Sequence, residues 1–121
     1  MATLTEGKHT GEFIVSQANG ARSRAAITVK SGQTIDVGEL VGIETATGKY
    51  VAYDPDGTIA GSDTVAGISY AAVDATDGDM SAVIIARDAE VRGSDLTYNE
   101  ATPGTVTTEV AGLKALGIIV R

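Results

Sequence analysis

Apolar residues in this chain come in short runs separated by turn chemistry. Phe13-Ile14-Val15-Ser16 ends at Asn19-Gly20, and Ala26-Ile27-Thr28-Val29 ends at Ser31-Gly32. Ile35, Val37, Leu40, Val41 and Ile43 follow, with glycines among them and with Asp36 and Glu39 placed to face water. After Thr47-Gly48 the pattern resumes as Lys49-Tyr50-Val51-Ala52-Tyr53, then breaks at Asp54-Pro55-Asp56-Gly57. The two longest runs span 65–73 and 81–91, joined by 74–79 with its Gly78. Strand-like runs recurring about every ten residues, with turn residues between, predict a small sandwich, barrel or folded β-ribbon.

One helix is expected near the end. Val106, Val110 and Leu113 fall at i, i+4 and i+7, which gives one apolar stripe. Thr102 is placed to cap a helix opening at Pro103, and Gly117 suits the left-handed residue just past a helix end. Ile118 then falls where it packs back on Leu113, and Ile118-Ile119-Val120 reads as a last strand. The threonines at 105, 107 and 108 and Gly112 lower the intrinsic propensity, so tertiary packing has to hold this helix.

Residues 1–12 differ from the rest. Leu4 is their only large apolar side chain after Met1. Such a stretch buries too little surface to offset an ordering cost of about 1–2 kcal/mol per residue. The expected division is a flexible N-terminal arm over 1–12 and a single β-rich domain over 13–121. The arm is either a loose chain end or a segment that orders on a partner.

Composition sharpens the fold class. Val and Ile number 22 against 5 Leu, a β-branched excess that favours pleated sheet. Of the 52 residues in the apolar set, 18 are Ala, and only Phe13, Tyr50, Tyr53, Tyr70 and Tyr98 are aromatic, so the core is thin. The reading is mainly β, with one short C-terminal helix.

Charge and residue chemistry remove several functions. Nine Lys and Arg against sixteen Asp and Glu give −7, with no basic cluster to offset it. Displacing counterions from phosphates needs cations, so direct nucleic-acid binding is not expected, nor is binding to an anionic membrane surface. The N-terminal stretch lacks the apolar core of a secretory signal, and no run of about 18 apolar residues offers a membrane span. With no Cys there are no disulfides, thiolate metal sites or Cys nucleophiles, and a reducing compartment is expected. His9, the single His, lies in the polar leading segment, where nothing fixes its geometry as a base. Phosphate-binding glycine loops are absent, and an enzymatic role, a cofactor and a metal are not expected. Asp54-Pro55-Asp56-Gly57 and Asp74-Ala75-Thr76-Asp77-Gly78-Asp79 could suggest Ca²⁺, but each lacks the twelve-residue loop with its closing bidentate Glu. Both read as turns.

The segment from Ser31 to Tyr53 also resembles the approach to the modified Lys of lipoyl and biotinyl carrier domains. There the Lys occupies a hairpin tip close behind an Ile/Val-Glu pair. Here Lys49 follows Glu44 by five positions and Gly48 takes the tip. A carrier modified on Lys49 is the alternative function.

Read end to end, the chain resembles the lambda-type bacteriophage head decoration family. The matching stretches are Glu12-Phe-Ile-Val-Ser-Gln-Ala-Asn-Gly-Ala-Arg-Ser-Arg, Thr28-Val-Lys-Ser-Gly-Gln-Thr-Ile-Asp-Val-Gly and Thr47-Gly-Lys-Tyr-Val-Ala-Tyr-Asp-Pro. They continue in Ala66-Gly-Ile-Ser-Tyr-Ala-Ala-Val-Asp-Ala, Val83-Ile-Ile-Ala-Arg-Asp-Ala-Glu-Val and Leu116-Gly-Ile-Ile-Val-Arg121. Their order along the chain carries the resemblance. It departs at 99–108, where relatives often carry a more Ala-rich helix.

The resemblance implies a β-clip-like fold, a bent β-ribbon with one helix. It implies homotrimers on local threefold sites of the expanded head, binding the major capsid protein and stabilising the shell against packaged DNA. It also implies synthesis in the bacterial cytoplasm and residence on the outer surface of the virion, with no cofactor. Capsid contact is then expected from the arm: Thr3, Leu4, Thr5, Glu6, Gly7, Lys8, His9, Thr10, Gly11, Glu12 and Phe13. Leu4 and Phe13, the large apolar groups that bracket it, are the expected anchors, although Phe13 equally suits the core at the first strand.

Overall fold

The computed structural model describes residues 9–18, 22–102 and 104–121. The strands are β1 (Ile14–Gln17), β2 (Arg24–Val29), β3 (Thr34–Ile35), β4 (Leu40–Ile43), β5 (Tyr50–Ala52), β6 (Gly67–Ser69), β7 (Val73–Asp74), β8 (Met80–Ile85), β9 (Ala89–Val91) and β10 (Ile118–Val120). A helix, α1 (Thr107–Ala115), precedes β10. The mainly β class with one short C-terminal helix is as expected.

Of the three β architectures the spacing permits, the strands adopt a closed barrel ordered β2-β5-β4-β6-β8. It closes where β8 pairs antiparallel with β2, from Arg24↔Ile85 through Val29↔Met80. The opposite seam is narrow: β2 meets β5 in parallel at Val29↔Tyr50, supported by the Lys30 amide donating to the Tyr50 carbonyl at 2.9 Å. Beside the barrel lie a three-stranded sheet ordered β1-β9-β10 and the small β3-β7 pair.

Two apolar clusters hold these parts together. The larger gathers Phe13, Leu40, Tyr53, Ile68, Ile85, Val91, Leu113 and Ile118, with others around them. The smaller gathers Val29, Ile35, Val41, Val73, Ala75 and Ile84. Successive side chains on a strand point to opposite faces, so Leu40-Val41 in β4 and Ile84-Ile85 in β8 each serve both clusters. A strand covered on both faces carries consecutive apolar residues in place of alternation.

The two longest apolar runs are each divided. The 65–73 run becomes β6 and β7, and the 81–91 run becomes β8 and β9. The second division has a local cause: Asp88 takes φ +49, a left-handed conformation that a short polar residue tolerates. Ser23, fully buried, pins the corner. Its hydroxyl donates to the Asp88 carbonyl (2.7 Å), accepts from the Ala18 amide (2.9 Å), and its carbonyl accepts from the Ala86 amide (2.8 Å). The chain thereby leaves the barrel and enters the second sheet. The Asn19-Gly20 turn lies outside the described residues.

The helix needs a correction at its start. It begins at Thr107 with Val106 as its N-cap and no side-chain cap, not after Thr102. Thr102 instead bridges to Thr105, whose amide donates back to the Thr102 carbonyl at 3.0 Å. Gly104 at φ +82 is incompatible with a right-handed helix there; Pro103 lies outside the described residues. The buried positions are Glu109 and Leu113, one turn apart, rather than the full stripe of Val106, Val110 and Leu113. The helix ends as expected. Gly117 takes φ +84 and its amide donates to the Lys114 carbonyl (2.9 Å), while Ile118 joins Leu113 in the larger cluster.

Adjacent residues of β8 test the two-sided burial. Ile85→Ala should cost about 2–5 kcal/mol in urea unfolding with an unchanged m-value. Ile84→Ala, the neighbouring position on the other face, should cost a similar amount because Ile84 is buried in the smaller cluster.

Candidate functional site

The leading segment joins the body through a short backbone structure. The Glu12 amide donates to the His9 carbonyl and the Ile14 amide to the Gly11 carbonyl, each at 3.1 Å, so two overlapping turns feed β1. The Gly11 amide donates to the Tyr70 carbonyl at 2.9 Å. Gly11 sits at φ +67, and a Cβ there would lie 2.8 Å from Tyr70 Cε1, so this path admits glycine and little else. The Arg24 guanidinium lies over the Tyr70 ring, 4.3 Å from its centroid. Arg24 Nε also donates to Gln17 Oε1 at 3.1 Å, at the end of β1.

The expected capsid-contact residues therefore divide. Thr3, Leu4, Thr5, Glu6, Gly7 and Lys8 lie outside the described residues. His9, Thr10 and Glu12 are exposed, and Gly11 is bound to the body. Phe13 is fully buried in the larger cluster. Its side chain belongs to the core, and the anchoring role expected of it gives way to that reading.

A second group ties one end of the barrel. Lys30 Nζ lies 2.5 Å from Glu44 Oε2, and the Thr47 hydroxyl donates to Glu44 Oε1 at 2.5 Å. Lys49 Nζ lies 2.5 Å from Asp79 Oδ2, while the Ser31 amide donates to Asp79 Oδ1 at 2.9 Å. These contacts fasten the β4–β5 hairpin to the end of β2 and to the turn before β8. The Lys30 hydrogen bond, then that of Thr47, holds the Glu44 carboxyl below its ordinary range; Lys49, then the Ser31 amide, does the same for Asp79. Lys49, the residue of the carrier alternative, is thus engaged in an ion pair.

The two acidic turns use their own carboxylates. Asp54 accepts from the Asp56 amide at 2.9 Å and from the Thr58 hydroxyl, and Asp74 accepts from the Thr76 amide at 3.0 Å and from the Thr76 hydroxyl. Both are side-chain-closed turns, as their composition suggests. Among the described residues, no three His, Cys, Asp or Glu side chains form a group that could hold a metal ion.

The site that sequence reasoning misses is internal. The Tyr53 hydroxyl donates to Glu109 Oε2 at 2.6 Å, with both residues almost fully buried. It joins the end of the β5 region to α1 across a separation of 56 residues, which no local pattern reveals. Burial, then the Glu109 carboxylate, pushes the Tyr53 phenol well above its ordinary range. The clasp holds the helix in place.

These contacts yield two expectations. Tyr53→Phe leaves a buried carboxylate without its donor and should cost about 1–3 kcal/mol. Because the native state holds the Tyr53 proton more tightly than the unfolded state, that stability is present below pH 10 and declines as pH rises above it. Tyr53→Phe should flatten this alkaline slope in unfolding measurements. The opposite sign applies to Glu44, whose lowered pKa gives stability present above about pH 4.5 and lost as pH falls. Melting curves between pH 7 and 3 should show a shallower acid loss for Glu44→Gln than for the unaltered chain.

Comparison with known proteins bears on what this body is for. No curated protein matches the chain. The family model described as bacteriophage lambda head decoration protein D matches residues 3–118, nearly the whole sequence. The match takes in the expected arm from Thr3, the barrel, the β3-β7 pair, α1 and the three-stranded sheet as far as the first residue of β10. The chain therefore belongs to the bacteriophage lambda head decoration protein D family and has a decoration role on the phage capsid.

Proposed function

We propose that this protein is a capsid cement: a homotrimer seated on local threefold sites of the expanded head, holding neighbouring major capsid subunits together against the pressure of packaged DNA. The observation that carries the reading is the family match over residues 3–118. Its role is structural, without a catalytic step or a cofactor. The protein is made in the bacterial cytoplasm and ends on the outer surface of the virion.

In this reading residues 1–8 make the capsid contact, pairing their backbone with an exposed edge of the major capsid protein. The body suits such a segment. β1, which it leads into, is an outer strand of its sheet, and Val15 on β1 is 51% exposed. Each added hydrogen bond contributes only about 1 kcal/mol net, so one arm binds weakly. Three arms on one trimer make the later contacts intramolecular, and avidity supplies the rest. A net charge of −7 keeps the protein off nucleic acid during assembly.

Because 9–13 are built into the body, the informative truncation falls after Lys8. The full chain should co-sediment with expanded, undecorated heads of its phage, and removal of residues 1–8 should weaken binding by more than about tenfold while leaving the body folded. Unchanged binding on truncation contradicts the arm assignment. Failure of the full chain to bind contradicts the decoration reading.

A further inference from the structure

We infer that the corner built by Arg22, Arg24 and Arg87 docks the acidic turn 74–79 of a second copy of this chain; the inference rests on the homotrimer proposed above and names a contact that builds it. Arg87 gathers the corner: its Nη1 donates to the Arg22 carbonyl at 2.6 Å and to the Arg24 carbonyl at 3.4 Å. The Arg24 guanidinium lies over the Tyr70 ring, 4.3 Å from its centroid. Arg22 Nε lies 3.7 Å from Asp88 Oδ2, and the Arg22 side chain is 71% exposed. Among the described residues, no other carboxylate forms an ion pair with these three arginines. In a chain of net charge −7, three arginines around one carboxylate make a local excess of positive charge.

The opposite sign sits at the other end of the same strand pair. β2 and β8 run antiparallel from Arg24↔Ile85 to Val29↔Met80. Five steps of about 3.4 Å place the turn before β8 roughly 17 Å from the arginine corner. Asp74, Asp77 and Asp79 are all exposed on that turn. Lys49 pairs with Asp79 and Lys30 with Glu44, and among the described residues no cation pairs with Asp74 or Asp77. The separation exceeds the screening length of about 8 Å at physiological salt, so the two ends do not neutralise each other within one copy. A corner of one copy seated on the turn of the next is a head-to-tail contact, the kind that closes into a ring. Met80 beside the turn is 47% exposed, and Tyr70 lies under Arg24, so each side of the contact brings an apolar anchor while the charges set its register. The acidic turn 54–57 is flanked by buried Tyr53 and half-buried Ile59 and offers no such anchor.

The test is a charge swap in the full chain. Binding to expanded, undecorated heads is read by co-sedimentation, and copies on the head are cross-linked with a bifunctional amine reagent and sized on a denaturing gel. Arg22→Glu and Asp77→Lys should each weaken binding about tenfold and deplete the cross-linked trimer, and the double variant should recover to within about threefold of the unaltered chain. Both residues are exposed, so melting curves of the variants should match that of the unaltered chain. The two positions cannot meet within one copy, so recovery reports a contact between copies. Losses that add in the double variant mean two separate contacts and overturn the inference. Arg22→Glu combined with Asp56→Lys carries the same net charge and should stay weak; recovery there shows that net charge alone governs binding, and overturns the inference. Single variants that bind like the unaltered chain overturn it as well. In these cases trimers from the unaltered chain leave the trimer reading standing. An unaltered chain that binds heads but yields only monomers contradicts the trimer reading and this inference with it.

Discussion

Burial on both faces of β4 and β8 is the constraint on which the rest of this small protein depends. Five aromatic residues and a large share of alanine leave little bulk for one thick core. The chain divides its apolar residues between two clusters and makes Leu40-Val41 and Ile84-Ile85 serve both. One strand thus contributes to two packed surfaces, and the barrel wall becomes the partition between them. Apolar area removed from water stabilises by roughly 25 cal/mol per Å², so doubling the use of a wall matters in a body this poor in large side chains. The helix and the second sheet then need only to cover the outer cluster.

Polar contacts then join the separate parts. Tyr53 and Glu109 clasp the helix to the barrel, Ser23 pins the corner where the chain changes sheets, and the Lys30–Glu44 and Lys49–Asp79 pairs close one barrel end. The Gly11–Tyr70 contact belongs to the same set and fixes the turns that lead into β1.

Most strands were legible because β-branched runs stop at residues that favour turns, as at Ser31-Gly32, Thr47-Gly48 and Asp54–Gly57. The helix end was legible for the same local reason, Gly117 being suited to the conformation it adopts. The helix start was not. Thr102 and Pro103 carry the local marks of a cap, yet the Thr102–Thr105 bridge uses that segment as a turn. Nor does a continuous apolar run reveal where it changes partners, so the break at Asp88 depends on contacts with Ser23, 65 residues earlier. The candidate site was legible only as a polar leading segment. Gly11 reads as one small residue within it until Tyr70 is placed beside it. Phe13 could be assigned to core or partner from the sequence alone, and its complete burial decides for the core.

The reading proposed above is that residues 1–8 make the capsid contact while the body from His9 onward stays as it is. Amide hydrogen exchange on the free protein and on protein bound to expanded heads tests it most directly. The account predicts that the Gly11 amide is protected in both states and that residues 1–8 gain protection only on the head. Rapid exchange at Gly11 in the free protein, or unchanged exchange over residues 1–8 on binding, would contradict it.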